Sequence, residues 1–283
     1  MSMKYFEKKE SGILIDLEGV NYLNTCGFEL HKDTELPETL QTLNLDGSNL
    51  PESVRLPTSL ESLYLGGGTL PEDIKLPDSL RTLKLGGSTL PQGIILPFGL
   101  DTIHLEGGTL PEGTVLPDSL KYFYLGGSSL PEGVKLPCNL EALNLGGGSL
   151  PEGIKLPDSL RVLVLGGCDL PQGVELPCNL EALNLGGGSL PEGFKLPEGL
   201  EELYLDGGSL PEGVKLPSGL LVLDLGGGSL PKGIKLPEGL EELYLDGGSI
   251  PEGIKLPSGL LVLDLGGCKP PEWLAIPDGC RIW

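Results

Sequence analysis

Positive charge is scarce in this sequence of 283 residues. Lysine and arginine together number 19 against 40 aspartates and glutamates, so the formal net charge at neutral pH is −21. Nucleic acid is bound through basic patches and an anionic membrane surface attracts basic segments, so the charge disfavours both kinds of partner. A basic or mixed protein partner is compatible with this charge, which also keeps a leucine-rich chain soluble and monomeric.

Aromatic residues and long apolar runs are scarce as well. Aromatic side chains make up 5% of the residues, so leucine has to supply the core instead. No run of 18 apolar residues occurs, which predicts that no helix spans a membrane. The first ten residues are rich in charge and lack the apolar centre of a cleaved signal peptide, so we expect no such leader.

Motifs for catalysis, cofactor binding and metal binding are missing from the sequence. The glycine runs are not followed by the Gly-Lys-Ser/Thr of a phosphate-binding loop, and they lack the spaced aspartate of calcium-binding repeats. His104 has Asp101, Lys84 and Tyr124 beside it on the expected sheet face, but no motif places a nucleophile opposite it. We therefore predict a protein that is not an enzyme and has no cofactor and no metal ion.

The sequence does contain a strict 20-residue period. A Leu-Pro pair opens each repeat from Leu36 to Leu256, giving twelve repeats over 36–275 without an insertion or deletion. The 45 glycines and 26 prolines recur at fixed places within the period, as the turn residues of an ordered structure do. A period of this length predicts a solenoid, in which each repeat stacks on its neighbours and buries a continuous core.

A single repeat shows how the chain is expected to fold. In the repeat 56–75, Leu63 and Leu65 alternate with outward residues, which is the period of a β-strand. A glycine turn follows the strand. Pro71 and Pro77 exclude a regular helix from the return segment and favour extended, polyproline-like backbone before them. The predicted fold class is a β-rich repeat solenoid with one parallel sheet, extended return segments and little helix.

The leucine spacing resembles that of leucine-rich repeats. In the first repeat Leu40, Leu43, Leu45 and Leu50 match the pattern Leu-x-x-Leu-x-Leu-x-x-(Asn/Cys)-x-Leu. The 20-residue length and the Leu-Pro pair resemble the short bacterial class of type III-secreted effectors, and the repeat is also similar to the FNIP repeats of amoebae. The resemblance implies a leucine-rich-repeat-like solenoid, a role in binding proteins and possible delivery into a host cell.

One column, meaning the residues at one position of successive repeats, departs from the family pattern. The family's asparagine satisfies backbone groups inside the turn, but Ser or Gly occupies this column in most repeats, as at Ser48 and Gly68. Only Cys168 and Cys268 fit the family's cysteine alternative. We expect hydrogen bonds between successive glycine turns, or ordered water, to satisfy those backbone groups instead.

The ends of the repeat array predict two caps. We assign 1–35 to an amino-terminal cap that contains a degenerate repeat, 36–275 to the twelve leucine-rich repeats, and 276–283 to a carboxy-terminal cap. A solenoid needs caps because its terminal repeats otherwise expose their apolar interior. We expect Trp273 and Trp283 to cover the last repeat.

The six cysteines are poorly placed to form disulfides. Cys138 and Cys178 share a column two repeats apart, which separates them by about 10 Å when strands are about 4.8 Å apart. A disulfide needs Cα atoms within about 7 Å, so Cys268 and Cys280 are the one pair expected to be able to bridge. Mostly unpaired thiols indicate a cytoplasmic or other reducing compartment at the site of action, and no spacing resembles a zinc site.

The two faces of the predicted solenoid differ in chemistry. On the return face, a glutamate column that includes Glu132 runs beside an Arg/Lys column that includes Lys135, and we expect these columns to pair at about 0–1 kcal/mol per exposed pair. The outward strand positions vary more and gather tyrosines of the kind enriched at interfaces. The predicted partner-binding residues are Tyr64, Lys84, His104, Tyr122, Tyr124, Tyr204, Asp224, Glu242 and Tyr244.

Three functional hypotheses fit these observations. The first is a non-enzymatic scaffold that binds a protein partner on its strand face, similar to bacterial effectors that act in a host cell. The second is a structural protein that assembles end to end, although a monomer is the primary expectation. The third is the recognition module of an enzyme whose catalytic domain is not in this chain. Charged, closed ends favour a monomeric binder and apolar ends favour assembly.

Overall fold

The computed structural model describes residues 3–5, 17–25, 29–45 and 47–283. The chain divides into two compact units, Met1–Leu140 and Glu141–Trp283, which are called here the first and second unit. The described residues contain short strands, turns and irregular segments but no helix. Accordingly, the described part of the chain has no helix that is long and apolar enough to cross a membrane.

The first unit contains a parallel sheet in which consecutive strands are neighbours. Leu43 is opposite Leu63, so the register between these strands is the 20-residue repeat itself. The strand that precedes the repeats is offset by 19 residues, with Met3 opposite Tyr22. The strands of its described residues are β1 Met3–Tyr5, β2 Tyr22–Asn24, β3 Thr42–Asn44, β4 Ser62–Tyr64, β5 Thr82–Lys84, β6 Thr102–His104 and β7 Tyr122–Tyr124.

The second unit has the same construction. Its strands also pair in parallel in chain order, and Val262 is opposite Arg281 at the end of the sheet. The predicted parallel, helix-poor repeat architecture is therefore confirmed. Its strands are β8 Ala142–Asn144, β9 Val162–Val164, β10 Ala182–Asn184, β11 Glu202–Tyr204, β12 Val222–Asp224, β13 Glu242–Tyr244, β14 Val262–Asp264 and β15 Arg281–Ile282.

Three leucine columns form the centre of the core. Leu60, Leu63 and Leu65 are fully buried, and the same holds at the equivalent positions of nearly every repeat. In one repeat Phe123 replaces the central leucine and is also fully buried. Full burial of such a side chain stabilises the fold by about 1.5–3 kcal/mol, so the leucine columns account for much of the stability of each unit. The predicted inward assignment of Leu63 and Leu65 is confirmed.

The return segment contains two turns that begin at proline, in addition to the extended backbone that the sequence predicted. The Leu60 N–H donates to Pro57 O at 3.1 Å, and the Ile74 N–H donates to Pro71 O at 3.3 Å. Proline tolerates the first position of these turns because the turn uses its carbonyl and not the N–H that it lacks. In most repeats the third residue of the second turn is glycine with a positive φ, for example Gly93 at 76°.

The glycine turns pair through their backbones, as predicted for a column that lacks asparagine. The Gly67 N–H donates to Leu85 O at 3.2 Å, and the Gly87 N–H donates to Leu105 O at 2.6 Å in the next repeat. At Gly86 this close stacking leaves no room for a side chain. Gly86 has a φ of 50°, and a Cβ there would lie 2.6 Å from the backbone nitrogen of Gly67.

Two expectations about the ends and the return face are wrong. Trp273 is 43% exposed and Trp283 is 63% exposed, so neither seals the last repeat. Cys268 and Cys280, the one pair expected to be able to bridge, are free thiols in this structure. In the part of the chain that the structure describes, the Glu and Arg/Lys columns of the return face form no ion pair, because exposed side chains gain little by being held together.

The boundaries of the caps remain a prediction. Much of the predicted amino-terminal cap, including 6–16 and 26–28, lies outside the described residues. Its degenerate repeat does contribute β2, whose Leu23 is fully buried in line with the leucines of the repeats.

Candidate functional site

The outward side chains of the first unit form a continuous mixed surface on the sheet. Tyr64, Lys84, His104 and Tyr124 occupy one column, and the strand register places each beside the next. They face outward because the residues before and after them, the core leucines, face inward. We call the following residues the first-unit patch: Tyr64, Lys84, His104, Glu106, Tyr122 and Tyr124.

Glu106 joins the two basic groups of this patch. Its Oε1 lies 2.7 Å from Lys84 Nζ and 3.4 Å from His104 Nε2. Glu106 has a φ of 44° at a turn position where most repeats have glycine, a conformation that is strained for a residue with a side chain. Glu106 is absent from the residues predicted from the sequence, although an acid in a glycine column is a visible departure from the repeat.

The electrostatics of the patch follow from these contacts. Partial burial lowers the pKa of His104 first and the nearby charge of Lys84 lowers it further, while Glu106 opposes both. The hydrogen bond from Lys84 is the main reason that the pKa of Glu106 is lowered. His104 therefore favours its neutral ring, which lies 5.1 Å from the Tyr124 ring between centroids at an interplanar angle of 50°.

Tyrosine supplies most of the apolar area of the patch. Tyr64 and Tyr124 are half-buried, and Tyr122 is exposed in the neighbouring outward column. Half-buried tyrosines are held in place by their surroundings and still offer a ring edge and a hydroxyl to a partner. The patch thus combines aromatic contact area with an ammonium group and a carboxylate.

The outward surface of the second unit follows an alternating pattern. Tyr204, Asp224, Tyr244 and Asp264 are neighbours in one column, and in the next column glutamate alternates with valine. We call this surface the second-unit patch, and its residues are Glu202, Tyr204, Asp206, Leu221, Asp224, Glu242, Tyr244, Asp246, Leu261 and Asp264.

Each tyrosine of this patch forms a hydrogen bond with the glutamate of its own strand. Tyr204 OH donates to Glu202 Oε2 at 3.1 Å, and Tyr244 OH donates to Glu242 Oε2 at 2.6 Å. The pKa of Tyr204 is raised to about 12, mainly by burial, and that of Tyr244 is raised to about 12, mainly by its hydrogen bond to Glu242. Both hydroxyls therefore stay protonated at neutral pH, and their hydrogen bonds fix the positions of the Glu202 and Glu242 carboxylates.

Asp224 lies at the centre of the acidic groups. Burial is the main cause that raises its pKa, and Asp206, Asp246 and Asp264 add repulsion, while a hydrogen bond from the Gly226 N–H at 2.8 Å acts in the opposite direction. Asp206 and Asp246 both have a φ of 42°, as Glu106 does at the same position of its repeat. Leu221 and Leu261 add exposed apolar area to this patch.

The structure places all nine predicted binding residues on the outward face of the strands. Five lie in the first-unit patch and four in the second-unit patch. Among the described residues, no group of three or more His, Cys, Asp or Glu side chains is arranged to hold a metal ion. What both patches offer is a surface with hydrogen-bonding groups, charge and aromatic rings.

Comparisons with known proteins extend this description. No protein-family model matches the chain, and no curated protein matches it. The solved structure of YopM from Yersinia enterocolitica WA-314 is similar, with 26% sequence identity, a TM-score of 0.56 and coverage of 88% of this chain and 70% of YopM. A structure of YopM from Yersinia pestis, described as a leucine-rich effector protein, has 26% identity, a TM-score of 0.64 and coverage of 85% and 75%.

The chain has the leucine-rich-repeat fold. Its resemblance to leucine-rich-repeat effectors, expected from the 20-residue period, is confirmed by the likeness to YopM over most of both chains. This fold suggests a scaffold for protein interaction and is typical of proteins without catalytic activity.

Proposed function

We propose that this protein is a non-enzymatic scaffold that binds a protein partner on the strand face and acts as an effector inside a host cell. The likeness to YopM supports the general role of an effector-like scaffold. The observation that carries the choice of face is the placement of tyrosine. Tyr64, Tyr122, Tyr124, Tyr204 and Tyr244 all lie on the outward side of a strand.

The chemistry of the strand face supports this choice. Aromatic side chains that are partly buried before binding lose little conformational freedom on complex formation, and they commonly contribute about 2 kcal/mol or more each at an interface. Glu106, Asp206 and Asp246 hold charged groups at strained turn positions beside these tyrosines. Such strain is expected where a side chain serves recognition and not folding.

The test is an affinity capture from a eukaryotic cell lysate with quantitative mass spectrometry. The bait is the full chain, and a second bait carries Tyr64→Ala with Tyr124→Ala. We expect the double substitution to weaken retention of a specific partner at least about tenfold while the melting temperature stays the same. The matched control carries Glu132→Ala with Lys135→Ala on the return face and should retain the partner. Loss of the partner from the control but not from the tyrosine variant would contradict the proposal.

End-to-end assembly is a second candidate function because the last strand exposes apolar side chains. Ile282 of β15 and Trp283, which follows it, are exposed, and so is Trp273 in the preceding return segment. An apolar sheet end offers both contact area and unpaired backbone groups to another chain. Light scattering over a range of protein concentrations tests this candidate. A mass that rises with concentration and falls to that of a monomer after Trp283→Ser would support assembly, and a constant monomer mass would exclude it.

A further inference from the structure

Two adjacent repeats, 76–95 and 96–115, interrupt the charged return face with apolar side chains. Ile95, at the end of the first, is 85% exposed, and Phe98 and Val115, in the second, are 91% and 80% exposed. Ile95 and Val115 occupy the Arg/Lys column, and Phe98 occupies a column whose neighbours are Asp78 and Asp118. These three side chains are called here the return patch.

Charge is absent from the whole segment 91–98. Gln92 stands in a glutamate column, Ile95 in the Arg/Lys column and Phe98 between Asp78 and Asp118 of the adjacent repeats. Gly93 stands where the preceding repeat has Asp73. These large apolar side chains contribute no burial energy to folding, because they remain almost fully exposed to water. An exposed apolar patch with a polar rim is typical of a docking surface.

These residues occupy nearby positions of two adjacent repeats. Ile95 and Phe98 are three residues apart across the junction of the repeats, which limits the separation of their Cα atoms to about 11 Å. The repeats that carry Ile95 and Val115 are joined on the return side, because Gln92 Nε2 donates to Glu112 O at 3.2 Å. Next to Phe98, the Arg81 guanidinium donates to Gly99 O at 2.7 Å and fixes the turn.

The rim of the return patch is mainly acidic. The apolar strip of Ile95 and Val115 has Glu72 and Glu112 on one side and Asp78 and Asp118 on the other, and all four carboxylates are exposed. Two ammonium groups, those of Lys75 and Lys135, continue the strip in the adjacent repeats. Four carboxylates around an apolar centre are complementary to a segment with an apolar stripe and basic flanks.

We propose that the return patch docks a basic amphipathic protein segment, with its apolar stripe on Ile95, Phe98 and Val115 and its Lys or Arg side chains on the flanking carboxylates. A second copy of this chain is a poor occupant, because each copy has a net charge of −21 and the same acidic rim. Recognition of an amphipathic segment through a few apolar anchors and a charged rim is a common mode of peptide binding. The return patch is separate from the strand face of the proposed function.

The probe is a fluorescently labelled leucine–lysine peptide that presents leucines on one face and lysines on the others. Its binding to the full chain is measured by fluorescence anisotropy at physiological salt. The test variant is Ile95→Lys with Phe98→Asp, which places at each position the residue found 20 positions earlier, Lys75 and Asp78, and leaves the net charge at −21. We expect this variant to bind the peptide at least about tenfold more weakly than the unmodified chain.

Matched controls separate docking from general attraction to an acidic protein. Lys155→Ala with Asp158→Ala changes the same two positions in the second unit, also without changing the net charge, and should leave the affinity unchanged. A leucine–glutamate peptide should not bind. Tyr64→Ala with Tyr124→Ala should bind the peptide normally, so the two surfaces are tested independently.

Several outcomes would overturn the proposal. Equal affinity of the unmodified chain and the Ile95→Lys, Phe98→Asp variant would show that the peptide binds elsewhere, and equal weakening by the second-unit control would show diffuse binding. Dimerisation that is lost in the variant, seen by sedimentation, would make a second copy the occupant. The single substitution Val115→Lys provides the same comparison if the double variant fails to give the circular dichroism and melting temperature of the unmodified chain.

Discussion

The first-unit and second-unit patches occupy the same columns of one repeat but carry different chemistry. In the first unit the outward column contains Tyr64, Lys84 and His104, and Glu106 bridges the two basic groups. In the second unit tyrosine alternates with aspartate, and each tyrosine is bonded to a glutamate. The inward columns behind both patches are buried apolar side chains, all leucine in the second unit and including Ile103 and Phe123 in the first.

This comparison separates what maintains the fold from what is free to vary. The inward positions accept only large apolar side chains, because a smaller residue leaves a cavity. Most of them are leucine, and Ile103 and Phe123 fill the central column in two repeats. The outward positions are not constrained by packing in the core, so tyrosine, lysine, histidine and aspartate all occur in one column. We therefore expect substitutions at inward positions to lower stability equally in the two units. Substitutions at outward positions should have effects that differ between the units.

The largest effect is expected from the shared core. Leu83→Ala in the first unit and Leu223→Ala in the second should each lower the free energy of unfolding by about 2–5 kcal/mol, because both side chains are fully buried at equivalent positions. Urea denaturation measures this cost. The exposed control Glu132→Ala should stay within about 0.5 kcal/mol. A control that costs as much as the two core changes would contradict the assignment of inward and outward columns.

The next effect tests the stacked glycine turns of both units. Gly86→Ala and Gly226→Ala should each cost about 1–3 kcal/mol, because φ is 50° and 45° and a Cβ would lie 2.6 Å from backbone of the preceding turn. Gly93→Ala is the matched control, with a positive φ of 76° but open space around its Cβ. We expect Gly93→Ala to cost less than either. Equal costs at all three sites would mean that backbone conformation alone, and not stacking, requires glycine.

Much of the fold could be predicted from the 20-residue period. A position that is leucine in nearly every repeat is expected to be buried, and a position that varies is expected to be exposed. The buried position of Leu63 and Leu65 and the outward position of Tyr64 follow from the alternation of one strand. The orientation of Trp283 could not be predicted in this way, because a residue outside the repeats has no column to compare with.

The candidate site was only partly predictable. Its columns could be derived from the repeat, but the ion pair between Lys84 and Glu106 depends on a strained turn conformation that no periodicity shows. The exposure of Ile95 and Phe98 was missed for a related reason. In a short repeat, an apolar residue is expected to face the core. Its exposure can be predicted only by comparing it with the charged residues at the same position of the other repeats.

The smallest expected effects are opposite pH dependences of the two patches. Burial lowers the pKa of His104 below its ordinary value of 6.5, so its contribution to stability is present above pH 6.5 and is lost as the pH falls through the folded value. The pKa of Asp224 is raised above 3.8, so folding favours its protonated form and stability falls as the pH rises from 3.8 through the folded value.

Variants at these two positions should therefore diverge with pH. Asp224→Asn should stabilise the protein at pH 7 and have little effect below pH 3.8, and asparagine fits because Asn144 and Asn184 occupy the same column. His104→Gln should lower stability more at pH 7 than at pH 5. Each difference should stay within about 0.5 kcal/mol because both groups are still partly exposed to solvent. Urea denaturation at several pH values measures them, and parallel profiles for the two variants would refute the opposite signs.

Differential chemical labelling of a purified complex tests the central claim, that the strand face binds the partner, most directly. Tyrosine-selective reagents report on Tyr64, Tyr122, Tyr124, Tyr204 and Tyr244, which all lie on the strand face. Lysine-selective reagents report mainly on the return face, through Lys75, Lys135, Lys155, Lys195, Lys215, Lys235 and Lys255. With a partner from the capture experiment bound, the account predicts protected tyrosines in at least one patch and return-face lysines that react as in the free protein. Protected return-face lysines with fully reactive tyrosines would contradict it.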